Sequence, residues 1–138
     1  MGAWNYGIFD DDTAYDFTNE IAEDAEGFFR QSFERAISAD YLEYDDCHAV
    51  TVSAAYLDNL LNGTLYRTDN EDANDISNVN NFGKLHSNPK LEELRPLAVN
   101  ALKVVIGDNS ELNELWSENE DLYPEWRGNI EQMIARLQ

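Results

Sequence analysis

Five carboxylates fall within the first twenty residues: Asp10, Asp11, Asp12, Asp16 and Glu20. Grouped carboxylates are the oxygen ligands that hard divalent cations prefer, and a bound cation can activate water for hydrolysis. Asp16 and Glu20 are four residues apart, which places both on one face of a helix. No second ligand pair and no His-rich motif accompanies them. Acidic side chains ahead of a helix also serve a plainer purpose, satisfying its unpaired N–H groups and its dipole. The residues therefore predict no metal and no cofactor, and metal-dependent hydrolysis stands as the alternative reading.

Other reactive side chains are sparse. Cys47 and His48 are adjacent, and adjacent residues do not face each other on a helix as a nucleophile and its base must. His86 precedes Ser87, Asn88 and Pro89 in an expected loop, where it reads as a polar surface residue. The run from Asp69 fails as a calcium loop, because Asn74 and Asn80 stand where the motif needs Gly and Glu. There is no phosphate-binding loop, dinucleotide fingerprint, paired-cysteine knuckle or nucleophile elbow. No catalytic residue is predicted.

What remains is charge. The 138 residues carry 28 Asp and Glu against nine Lys and Arg, a formal net charge of -19. Up to Asp75 there are 18 acids and three arginines; the rest of the chain has ten acids and six bases. Such a field repels nucleic acid and anionic membrane and steers a basic partner. Asp16, Glu20, Glu23 and Glu34, with Asp69, Glu71, Asp72 and Asp75, are the expected partner-binding acids. Trp4 and Tyr6 are aromatic candidates for the same contact, or for packing alongside Phe9. A nucleic-acid mimic that blocks a DNA-binding protein is a further alternative.

The elements that would position these groups read as helices. The length suits one domain, 1–138, with its own core, and the 43 % hydrophobic content is too high for a disordered acidic tail. A single cysteine excludes an intrachain disulfide and fits a reducing, cytoplasmic setting. No apolar run is long enough to cross a membrane, and the N-terminus lacks the pattern of a signal peptide. After an aromatic strap from Trp4 to Phe9, Thr13 to Ser38 reads as one long helix, capped by Asp12 or by a Thr13–Asp16 box. Phe17, Ile21, Ala25, Phe28, Ala36 and Ile37 form its apolar side, and Gly27 marks a point where it could bend.

Val50, Ala54, Leu57 and Leu61 share the face of a second helix, capped by Asp45 or Asp46 and stopped at Asn62-Gly63. Thr68 to Asn81 is a polar connecting loop. Beyond Pro89, Leu91, Leu94, Ala98, Leu102 and Val105 keep helical spacing. Pro96 either kinks that helix or opens it after a short turn through Glu93. Gly107 ends it, Ser110 caps a short helix to Trp116, and Pro124 starts a last one with Trp126, Ile130, Met133 and Leu137 inward. The expected fold is an all-α bundle of about five helices.

Two stretches carry a family likeness. The opening MGAWNYGIFDDDTAYDF, with a Trp, a Phe and an Asp-rich turn, resembles the start of the bacterial domain-of-unknown-function 4259 family. Asn5 stands where that family's opening has a Gly. Asn109-Ser110-Glu111-Leu112-Asn113-Glu114-Leu115-Trp116 is similar to the family's Ser-Glu-Leu and Leu-Trp segment. The resemblance implies a small domain without assigned chemistry, associated with bacterial toxin and immunity genes. Charge and resemblance together predict a protein-binding inhibitor rather than an enzyme, with a basic protein, concretely a toxin, as its partner.

Overall fold

The computed structural model describes residues 7–9, 13, 16–67, 78–85 and 89–138. Among them are seven α-helices and no strand: α1 (Thr18–Glu23), α2 (Ala25–Ser38), α3 (Tyr44–Asn62), α4 (Phe82–Leu85), α5 (Arg95–Val105), α6 (Glu111–Ser117) and α7 (Tyr123–Leu137). Five are seven residues or longer, so the chain is an all-α bundle.

The bundle is organised around α3. Every residue from Cys47 to Asn59 is buried, well beyond the single stripe that Val50, Ala54, Leu57 and Leu61 define. A helix can be enclosed on all sides only if its neighbours approach closely, and Ala49, Ser53, Ala54 and Ala55 provide that small surface. α2, α5 and α7 pack around it. Tyr56 meets Phe9, Phe29 and Phe82, with ring centroids 6.2, 6.4 and 5.3 Å away, so Phe9 of the N-terminal strap belongs to the core. At the other side Trp116 stacks on Trp126 at 6.0 Å.

The helix ends explain where sequence expectation and structure part. The long helix over Thr13–Ser38 is broken at Asp24, whose φ of -152° is not helical and whose carboxylate caps α2 by accepting the Gly27 N–H at 3.0 Å. Gly27 serves close approach here: a Cβ on it would overlap the Asp24 carboxylate. The break resets the helical phase, so α2 buries Ala25, Phe29, Ser32, Phe33 and Ala36 and leaves Ile37 43 % exposed. Upstream, Thr13 and Asp16 form only a turn, with the Asp16 N–H on the Thr13 carbonyl, and α1 starts after Phe17.

α3 is entered through Glu43, and Asp45 and Asp46 sit in its first turn rather than capping it. Its first amide, Tyr44 N–H, has no acceptor within the helix and donates to Glu111 Oε1 of α6 at 2.8 Å. In return the Leu42 carbonyl accepts the Glu111 N–H at 2.9 Å, and the Leu42 N–H donates to Asn109 O at 2.8 Å. Two helix N-termini thus cap each other. Local signals hold elsewhere. Gly63 closes α3 in the left-handed region at φ 70°, Pro96 and Pro124 lie in the first turns of α5 and α7, and the Ser110 hydroxyl accepts the Asn113 N–H. A 3₁₀ stretch, Pro89–Leu94, leads into α5, as the turn reading of Pro96 requires.

Candidate functional site

The two ends of α3 carry two different polar sites. At its N-terminal end a groove of about 570 Å³ runs between α1, α2 and α3. Glu20 and Glu23 come from α1, Asp24 from the break, and Asp45 and Asp46 from the first turn of α3. The half-buried rings of Phe17 and Phe28, 5.4 Å apart, and the Ala49 methyl form the apolar part of the lining. Arg35 is the single cation of the lining among the described residues and holds Asp46 at 3.1 Å, tying α2 to α3. Five carboxylates against one arginine make this a strongly negative concavity. It is built by the helix break that the sequence did not announce, since a continuous Thr13–Ser38 helix would have carried Glu20 and Glu23 along a straight face.

Of the acids expected to bind a partner, Glu20 and Glu23 line this groove. Asp16 is exposed just ahead of α1, outside the lining. Glu34 lies further along α2, 4.0 Å from Arg30, beside a separate shallow depression. Asp69, Glu71, Asp72, Asp75, Trp4 and Tyr6 lie outside the described residues, as do Asp10, Asp11, Asp12 and His86. Asp24, Asp45 and Asp46 belong to the groove although they were expected only as helix signals, if at all. Among the described residues no three His, Cys, Asp or Glu side chains gather as a metal site.

At the other end of α3 the acid is inside. Asp58 is fully buried, and its carboxylate accepts three hydrogen bonds: from Asn62 Nδ2 at 2.7 Å, Tyr66 O–H at 2.6 Å and Arg136 Nε at 2.8 Å. Burial pushes the Tyr66 hydroxyl far above its ordinary value, reinforced by the Asp58 bond and charge, so Tyr66 stays a donor. Burial opposes the charge on Arg136, but its bonds to Asp58 and Tyr66 outweigh that and raise its pKa. Nearby, the Asn80 side chain pairs with both backbone groups of Tyr66, accepting its N–H at 2.6 Å and donating to its carbonyl at 2.7 Å. Asn59 repeats the device, donating to Thr64 O and accepting the Gly83 N–H. The end of the expected loop is therefore a 3₁₀ turn, Val79–Asn81, capped by Asn78 and with Val79 buried, and its Asn80 satisfies the Tyr66 backbone in the irregular segment that follows α3.

Cys47 is buried, with Sγ 3.3 Å from Ser110 Oγ, and burial holds its thiol above its ordinary pKa. Such a thiol is a packing group rather than a nucleophile. His48 is also buried and lies edge-on to the Tyr44 ring.

A family model described as a domain of unknown function, DUF4259, matches residues 2–129. The chain belongs to the DUF4259 family. No curated protein and no solved structure matches it. The matched stretch contains the whole acidic groove, Asp58 and Tyr66, and ends before Arg136. No helix among the described residues is long and apolar enough to cross a membrane.

Proposed function

We propose that the chain is a protein-binding inhibitor whose acidic groove receives a basic, amphipathic segment of its target, most concretely a toxin held inactive by an immunity protein. The observation that carries this reading is the groove itself: five carboxylates and one arginine beside a partly apolar lining. The carboxylates match Lys or Arg side chains, while Phe17, Phe28 and Ala49 match an apolar side chain between them. The immunity role draws its support from the family's association with toxin and immunity genes. Inhibition of this kind needs no chemistry from the inhibitor, only occupation of a surface the target uses.

The test is association with the product of the adjacent gene and with a Lys-rich amphipathic helical peptide, followed by calorimetry at low and high salt. Affinity should fall as salt rises, because the Debye length shrinks from about 30 Å at 0.01 M to about 8 Å at physiological ionic strength. Glu20→Lys with Glu23→Lys should weaken binding, and Glu34→Lys should weaken it less, since Glu34 lies outside the groove. Salt-independent binding untouched by the double reversal would rule the groove out.

A further inference from the structure

We propose that Asp24 and Gly27 form a latch that sets whether the acidic groove exists, by holding α1 folded back on α2 instead of letting the two run on as one helix. Its regulatory meaning rests on the groove being the partner's seat; the hinge itself does not. Asp24 is the one residue between Thr18 and Ser38 outside a helix, at φ -152° and ψ 82°. Its N–H still donates to Glu20 O at 3.0 Å, and its carbonyl already accepts the Phe28 N–H at 3.0 Å. No Pro stands anywhere in that stretch. A rotation confined to the Asp24 backbone therefore joins α1 to α2. It returns the Ala25, Glu26 and Gly27 amides to the carbonyls of Ile21, Ala22 and Glu23.

Two features oppose that straightening. The Asp24 carboxylate accepts the Gly27 N–H at 3.0 Å in an exposed bond, and α1 is anchored by buried Ile21 and by the Phe17 ring, 5.4 Å from Phe28. The cap requires Gly at position 27, because a Cβ there falls on the Asp24 carboxylate. Residue 27 is helical in either arrangement, so its helix propensity does not distinguish them. The cap does, because it exists only in the broken form. Straightening carries Glu20 and Glu23 away from Asp45 and Asp46 and takes Phe17 off Phe28, which removes one wall of the groove. A basic segment seated among these carboxylates favours the broken form, so latch and partner support each other.

Relaxation dispersion and saturation transfer on the full chain without ligand provide the test, since they report the population and chemical shifts of a minor form. The expected minor form has a helical Asp24 ¹³Cα shift, with exchange confined to the segment from Phe17 to Phe28. Gly27→Ala should raise its ratio to the broken form by about tenfold, the change that losing one helix cap brings to an equilibrium. Asp24→Ala should follow Gly27→Ala, whereas Asp24→Asn keeps a capping oxygen and should match the natural chain. Nuclear Overhauser contacts between the Phe17 and Phe28 rings should weaken in step with the minor population. No minor form in Gly27→Ala would overturn the latch, as would one with random-coil shifts over residues 18–23 or equal enrichment by Asp24→Asn. The Lys-rich peptide, added last, should suppress the minor form. If it fails to bind the natural chain while the minor form behaves as described, the hinge stands and the partner reading falls.

Discussion

The two ends of α3 set one residue type in opposite surroundings. Asp45 and Asp46 at the N-terminal end stay at the surface, where Asp46 shares a partly exposed ion pair with Arg35. Asp58 at the C-terminal end is fully buried and satisfied by three donors from α3, the 63–67 segment and α7. The first arrangement makes a field in solvent and contributes little to stability. The second contributes nothing to the outward field and holds three parts of the chain together. Counting acids, as a net charge does, treats the two alike; only burial and donors separate them.

That contrast is most easily broken at Asp58. Asp58→Ala would strand a half-buried guanidinium and the Tyr66 hydroxyl. Removing one partner of a buried pair costs about 3 to 5 kcal/mol, and the exposure of Arg136 places the expected loss near the lower end, about 3 kcal/mol in denaturant unfolding. A loss below about 1 kcal/mol would mean that water replaces the carboxylate and that the two ends of α3 do not differ as described.

Tyr66→Phe is the next largest, about 2 kcal/mol, for a hydrogen bond to a charged acceptor. It also predicts an alkaline signature. Because burial and Asp58 raise the folded Tyr66 pKa above its ordinary 10.0, the folded state holds that proton more tightly than the unfolded state. The stabilisation is complete below about pH 10 and is lost as pH climbs toward the folded value. Unfolding free energy measured above pH 10 should therefore fall more steeply for the natural chain than for the Phe variant, and parallel slopes would contradict it.

At the exposed end the effects shrink. Arg35→Ala removes a pair whose side chains are 50 % and 34 % exposed, and should cost only about 0.5 kcal/mol, less at high salt. The same change leaves the groove with carboxylates alone, so binding of the Lys-rich peptide should strengthen at low salt while stability drops slightly. Smallest of all is Gly27→Ala. It displaces the Asp24 cap, worth about 1 kcal/mol, yet gains about the same in helix propensity, so the unfolding midpoint should scarcely move. Asp24→Ala lacks the compensation and should show the full loss of about 1 kcal/mol.

The same contrast explains what could be read from the residues in order. Gly63, Pro96, Ser110 and Pro124 punctuate the helices through local stereochemistry, so their positions were legible. The break at Asp24 was not, because Glu23, Asp24 and Glu26 are ordinary surface-helix residues until the Asp24 carboxylate turns back onto Gly27. Nor was the role of Asp58, since its partners Tyr66 and Arg136 are eight and 78 residues away. One signal was present: Asp58 follows Thr51, Ala54 and Ala55 on a face with no other charge, and an isolated acid on such a face asks for a partner. The acidic groove was half legible. The excess of carboxylates is written in the composition, but their convergence depends on a turn between two helices.

The mutual capping of α3 and α6 has a consequence for how the molecule assembles. α6 has only seven residues, well short of the roughly 12 to 15 that make an isolated helix even marginally stable in water. Its first backbone donor is satisfied by Leu42, 69 positions earlier in the chain, so little of α6 can persist before that distant corner has closed. The helix is thus expected to form only with that corner, and the 42–44 and 109–114 stretches should open and reclose as one unit. Amide hydrogen exchange at Leu42, Tyr44, Glu111 and Glu114 would then report one shared opening free energy, although these residues belong to segments more than sixty residues apart.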